Sequence, residues 1–188
     1  MTLQLRKTLP LLLGALLLVA IAPACSTEEV ESTTSSTPST TASTTPSTTF
    51  GPSAETVNVE MPSVAKTLYK VGKDGTVTYG ANQLVGSATV LGQPATVEIL
   101  GSVNYINGSG PFTGFLTVTW ADASSIGFSI LGTATQGTDG SSKIVSSMDY
   151  IGGSGTYVDT QVQGKFTATR SAEVGTPIMT ELTLEVLQ

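Results

Sequence analysis

No histidine occurs in the 188 residues of this chain, and its single cysteine, Cys25, lies ahead of everything that reads as a folded domain. Without imidazole or thiol in that domain, Ser-His-Asp and Cys-His nucleophilic catalysis, imidazole acid–base chemistry and the usual zinc sites are excluded. Disulfides are excluded as well, so the domain is held by packing alone. Any proton transfer would fall to Asp, Glu, Lys or Tyr. No D-x-D-x-D-G loop is present, and no metal or cofactor is expected. Charge is scarce too: 8 Lys and Arg against 14 Asp and Glu give a net charge of -6. So few scattered cations argue against nucleic acid, which needs clustered positive charge.

The long apolar run is confined to the N-terminus. Arg6 and Lys7 precede a stretch from Leu9 to Ala24 interrupted only by proline, glycine and small residues. A basic start, an apolar run of this length and small residues before a cleavage point describe a secretory signal over residues 1–24. Ala22-Pro23-Ala24-Cys25 resembles the lipobox of bacterial lipoproteins. That resemblance implies a lipid on Cys25, a membrane partner through this anchor, and a place on the outer face of the cell membrane. The alternative is an ordinary secretory signal that leaves a free thiol. Each buried methylene of an acyl chain contributes roughly 0.8 kcal/mol to anchoring.

Residues 32–49 contain only Ser, Thr and Pro apart from Ala42. Such a segment has no apolar surface to set against the entropy of ordering. Residues 25–56 are therefore expected to form a disordered tether, and residues 57–188 one domain.

Within that domain, segments alternating with period two are separated by Gly, Asp-Gly and Asn-Gly breaks. Strands are predicted at 65–71, 76–80, 84–91, 95–105, 113–121, 125–136, 142–150, 161–170 and 178–187, with Lys73–Thr76 and Thr138–Ser141 as hairpin turns. A short helical turn is expected near 57–65. Strands such as 178–186, with Ile178, Leu182 and Val186 on one face and Glu181 and Glu185 on the other, are wet on one side only. The predicted fold is all-β, a single closed antiparallel barrel.

Two stretches echo each other, "YINGSGPF" at 105–112 and "YIGGSGTY" at 150–157. A phosphate loop would lead into a helix, and both copies lead into alternating strand patterns. They read instead as turns, with Gly108, Gly110, Gly153 and Gly155 as the structural glycines and the following aromatic capping a barrel end. The second copy, with Tyr157 and Gly164 beyond it, resembles the glycine signature of the dirigent and allene oxide cyclase barrel superfamily. The resemblance implies a barrel of about eight strands, often a homo-oligomer, with an apolar cavity that holds a reactive substrate in one shape. It carries over no catalytic residue.

Arg170 shares the dry face of its strand with Phe166 and Ala168, where a permanent cation needs a partner or a ligand carboxylate. The alternative places it at the strand end, in water or paired with Asp149 or Glu173. Tyr105, Tyr150 and Phe166 join it as ligand-binding candidates. Trp120 is expected in the core or an oligomer interface, and Glu98 in solvent. Three functions fit: a lipid-anchored module binding a small lipophilic molecule, an interaction protein whose barrel is filled by its own side chains, and a cofactor-independent cyclase or isomerase. The first requires an interior cavity of roughly 300 Å³ or more.

Overall fold

The computed structural model describes residue 51 and residues 53–187; the expected signal, lipidated cysteine and most of the tether lie outside these residues. Nine strands form one antiparallel sheet: β1 (Glu55–Met61), β2 (Ser63–Val71), β3 (Val77–Val90), β4 (Gln93–Ile106), β5 (Gly110–Trp120), β6 (Ser125–Gln136), β7 (Ser142–Ser154), β8 (Gln161–Arg170) and β9 (Ile178–Leu187). Their order across the sheet is β1-β9-β8-β7-β6-β5-β4-β3-β2, so every neighbour from β2 to β9 is the next strand along the chain.

The two ends of this order are consecutive in sequence. Only Pro62 separates β1, which pairs with β9, from β2, which pairs with β3. The Val85 N–H donates to the Pro62 carbonyl at 3.1 Å, and the Leu91 N–H donates to the Glu55 carboxylate. Gly86 lies so close to β1 that a Cβ on it would meet the Glu60 carbonyl at 2.5 Å and Val59 Cγ1 at 2.6 Å. The sheet thus curls back on itself, and β1 with β2 forms the one bent strand that closes an eight-pass barrel. Closure matters because a free edge presents unpaired N–H and C=O groups to any other chain.

The expected helical turn near 57–65 is replaced by the end of β1 and the start of β2. Val57, Val59 and Met61 alternate with Asn58 and Glu60, and Val59 and Met61 are buried. Three and a half residues per turn would have placed Glu60 among them. The predicted break at 81–83 is also absent, because Asn82 is buried in the continuous strand β3 and accepts a hydrogen bond from the Ser63 hydroxyl. The domain begins earlier than residue 57. The Glu185 carboxylate accepts from the Gly51 N–H at 2.8 Å and the Ser53 hydroxyl at 3.1 Å, bonds that hold it below the usual carboxylate range.

The echoed glycine stretches prove inequivalent. Asn107 and Gly108 make the β4–β5 turn with positive φ of 49° and 76°, as expected for such residues. Gly152 and Gly153 instead lie inside β7. There the pairing jumps from Gly127↔Gly152 to Phe128↔Tyr150, leaving Ile151 as the extra residue of a bulge. The turn follows only at Gly155, at φ 58°, in a short 3-10 segment to Tyr157. Gly155 is a turn glycine as expected; Gly153 is not, because the bulge carries the chain two residues further before it reverses.

The core is one cluster inside the barrel, with Phe128, Phe166, Leu116, Ile126, Leu182 and Val97 essentially inaccessible. Replacing Gly86 by Val is expected to lower unfolding free energy by about 2 kcal/mol through overpacking at the closure. Gly101→Ala, where a Cβ meets nothing nearer than 3.7 Å, should leave it almost unchanged. Urea unfolding of the two variants checks the contrast.

Candidate functional site

Tyr105, Phe166 and Arg170 come together at one end of the barrel, at the end of β4 and along β8. Arg170 is buried, with only 5% of its surface exposed, so the solvent-facing alternative does not hold. Neither Asp149 nor Glu173 pairs with it. Its Nε donates to the Ala172 carbonyl at 2.9 Å and its Nη2 to the Ser142 hydroxyl at 3.0 Å. The guanidinium carbon stands 5.7 Å from the centre of the Tyr105 ring, within cation–π range. The site forms because Arg170 is the last residue of β8 and pairs in register with Ser142, the first of β7. Alternation along β8 turns Phe166, Ala168 and Arg170 inward together.

Burial pushes the Tyr105 phenol above its ordinary 10.0, and the positive charge of Arg170 partly opposes that shift. The hydroxyl therefore stays protonated at neutral pH, and its oxygen accepts a hydrogen bond from the Arg170 guanidinium. Phe112 meets Phe166 edge-on at 6.1 Å beneath this pair. The void that Arg170, Tyr105, Phe112 and Phe166 share measures only about 50 Å³. Outside Arg170 a hollow of about 310 Å³ opens among Lys70, Thr78, Gln136 and Glu173.

Tyr150 does not join them. It lies eight residues along β7 from Ser142, roughly 27 Å at the usual strand rise. There it packs edge-on against Phe128 at 5.7 Å, with its buried hydroxyl lacking a partner. That other end is closed by Trp120 stacked on Tyr157 at 4.4 Å, the Trp120 indole donating to the Val90 carbonyl at 3.1 Å. Trp120 is core, one of the two placements expected for it. Glu98 is half-buried and accepts a hydrogen bond from the Gln83 amide, so it is less solvated than expected.

A second feature is on the outside. Leu100, Phe115 and Leu131, each at least 50% exposed, line a groove of about 700 Å³ across β4, β5 and β6. Its floor is the cross-strand pair Gly101 and Gly114, where a Cβ on Gly114 would run into the Leu100 carbonyl. Tyr79 and Tyr69 extend the exposed apolar surface onto β3 and β2 as a facing pair. Sequence reasoning missed this face, although a signal was there: from Val77 to Gln136 the only charged residues are Glu98 and Asp122.

No protein family, curated protein or solved structure compared with the chain matches it.

The shift of Tyr105 has a definite sign. Its folded value is raised, so the associated stability is fully present below the ordinary value of 10.0 and is lost as pH rises through the folded value. Thermal unfolding followed from pH 7 upward should show a decline in the alkaline range, and Tyr105→Phe should flatten it. An identical alkaline decline in both proteins would contradict this assignment.

Proposed function

We propose that this is an exported structural and interaction module that works through the outer surface of a filled barrel. The observation that carries the reading is the packed interior: the void at the Arg170 end measures about 50 Å³, against the roughly 300 Å³ or more that a drug-sized ligand occupies. A lipophilic-ligand module of the kind the sequence suggested needs that larger space. A cyclase of the allene oxide cyclase type would keep the Arg170–Tyr105 pair, and it too lacks room for a polyene.

The charge-poor face over β3 to β6, with Glu98 its one charged side chain, is the docking surface in this reading, and its occupant is a second copy of the chain. Three arguments support self-association. A chain of net charge -6 repels its own copies everywhere except where charge is missing. The face also carries both halves of a contact, the protruding Phe115 ring and the glycine-floored recess beside it. A two-fold axis places each ring in the partner's recess, as an isologous interface requires. Leu100, Phe115 and Leu131, each at least half exposed around one groove, supply the apolar centre that such an interface needs. In this reading a lipid on Cys25 and the Ser/Thr/Pro tether hold the barrel away from the membrane.

Sedimentation of the chain should show a dimer at micromolar concentration. Phe115→Glu, at a half-exposed position outside the core, should weaken association by about 100-fold or more while leaving unchanged the unfolding midpoint measured at concentrations where both proteins are monomeric. A wild-type protein that stays monomeric at about 100 μM, near −5.5 kcal/mol of binding, would end the proposal. Lipidation is checked separately by mass: chain extracted from membranes should lack residues 1–24 and carry acyl groups on Cys25, and an unmodified Cys25 would exclude the anchor.

A further inference from the structure

We infer that the Arg170 end of the barrel is a binding site for a short-chain monocarboxylate, with the carboxylate on the guanidinium and the hydrocarbon end in the void beneath it. This site is independent of the outer face and stands whether or not the chain dimerises.

The first observation is the state of the arginine. A buried, permanently charged group costs several kcal/mol unless an opposite charge or a full set of hydrogen bonds compensates it. Arg170 has five N–H donors. The bonds that it makes, to the Ala172 carbonyl and to the Ser142 and Tyr105 hydroxyls, go to neutral acceptors, and no carboxylate among the described residues forms an ion pair with it. The cation is held in place by neutral hydrogen-bond acceptors and the Tyr105 ring, with no negative charge paired to it. The rim does carry acids, Asp74 and Glu173, but alongside Lys70, and neither reaches ion-pair distance of the guanidinium.

The second observation is the space. Arg170 lies between two hollows, the interior void of about 50 Å³ and the outer hollow of about 310 Å³. An anion can approach through the outer one. The inner one is lined mainly by apolar residues, Ile99, Val103, Phe112, Ile144 and Phe166 among them, with Asn82, Tyr105 and Thr176 as the polar residues beside Arg170. A hydrated inorganic anion gains nothing from those apolar walls. A planar carboxylate matches the guanidinium fork, and a tail of one or two carbons suits a void with room for about two water-sized groups. The chemical class follows from the two together: a carboxylate with a stub of hydrocarbon, and no longer chain.

The test uses the full chain and sodium propionate as the probe, against sodium chloride at equal ionic strength. Propionate is expected to give a saturable shift of the Arg170 Nε–H resonance and of the Ile144 and Val103 methyl groups, with a matching rise in unfolding temperature. Acetate should do the same, and octanoate should bind about tenfold more weakly or worse because the void cannot hold its chain. Arg170→Met should remove the propionate response altogether. If that variant does not fold, Val103→Phe, which fills the void and leaves the arginine in place, is expected to weaken propionate binding by about tenfold or more. The inference is overturned if propionate shifts nothing beyond what chloride shifts, if octanoate binds as well as propionate, or if a folded Arg170→Met or Val103→Phe protein binds propionate like the wild type.

Discussion

The structure depends on how one bent strand closes the sheet. A proline between β1 and β2 has no N–H to leave unpaired, and its carbonyl still accepts from Val85. The bend lets β1 lean toward β9 while β2 pairs with β3, its register shifting by one residue between Ser63 and Ala65. Gly86 then permits β1 and β3 to approach where any side chain would hold them apart. Glu55 on the Leu91 amide and Glu185 on the Gly51 amide fasten the strand near its N-terminal end. A nine-stranded sheet open at this seam would offer two edges to other chains. With no cysteine in the domain to form a disulfide, the seam is held by backbone contacts, two carboxylates and the buried Val59 and Met61.

Closure at this strand number also fixes what the interior can contain. Eight strands leave a bore just wide enough for side chains to fill or for one small ligand. Here Phe112, Phe128, Phe166 and Leu116 fill most of it. Where the packing meets the polar end, a gap of about 50 Å³ lies beside Arg170. The two ends are therefore unlike: an aromatic lid of Trp120 on Tyr157 seals one, and a buried cation guards the other.

Much of this was legible in the sequence. β6, β8 and β9 fall where alternation placed them, because each has one apolar face and turn residues at both ends. Arg170, Tyr105 and Phe166 could be grouped since all three sit on dry faces of strands. What alternation could not show was neighbourhood and distance. Tyr105 and Tyr150 open similar motifs, yet the bulge at Ile151 and the run of β7 to Ser154 place the second at the opposite end. The helical turn near 57–65 failed because strand and helix patterns of three apolar residues differ little over so short a span. Whether Arg170 was partnered depended on the fold of the loop after β8, where the Ala172 carbonyl takes the place that an acid could have taken.

The distribution of charge around the barrel completes the argument about where this protein acts. β7, β8, β9 and β1 point Lys143, Asp149, Lys165, Glu181 and Glu60 outward. The opposite wall, β3 to β6, carries only Glu98, half-buried and bonded to Gln83. Barrel geometry does not impose that asymmetry, since a hydrogen-bonded sheet accepts Lys or Glu at any outward position. Thr and Ser at most of these positions would keep the wall soluble. The leucines, the phenylalanine and the paired tyrosines do not serve that end, and isolated exposed apolar residues rarely gather around one groove. A wall that is poor in charge and concentrates apolar surface over a glycine floor is the surface that the proposed self-association would cover. Inside the barrel, by contrast, the one buried arginine stands at a single end, above a gap of about 50 Å³.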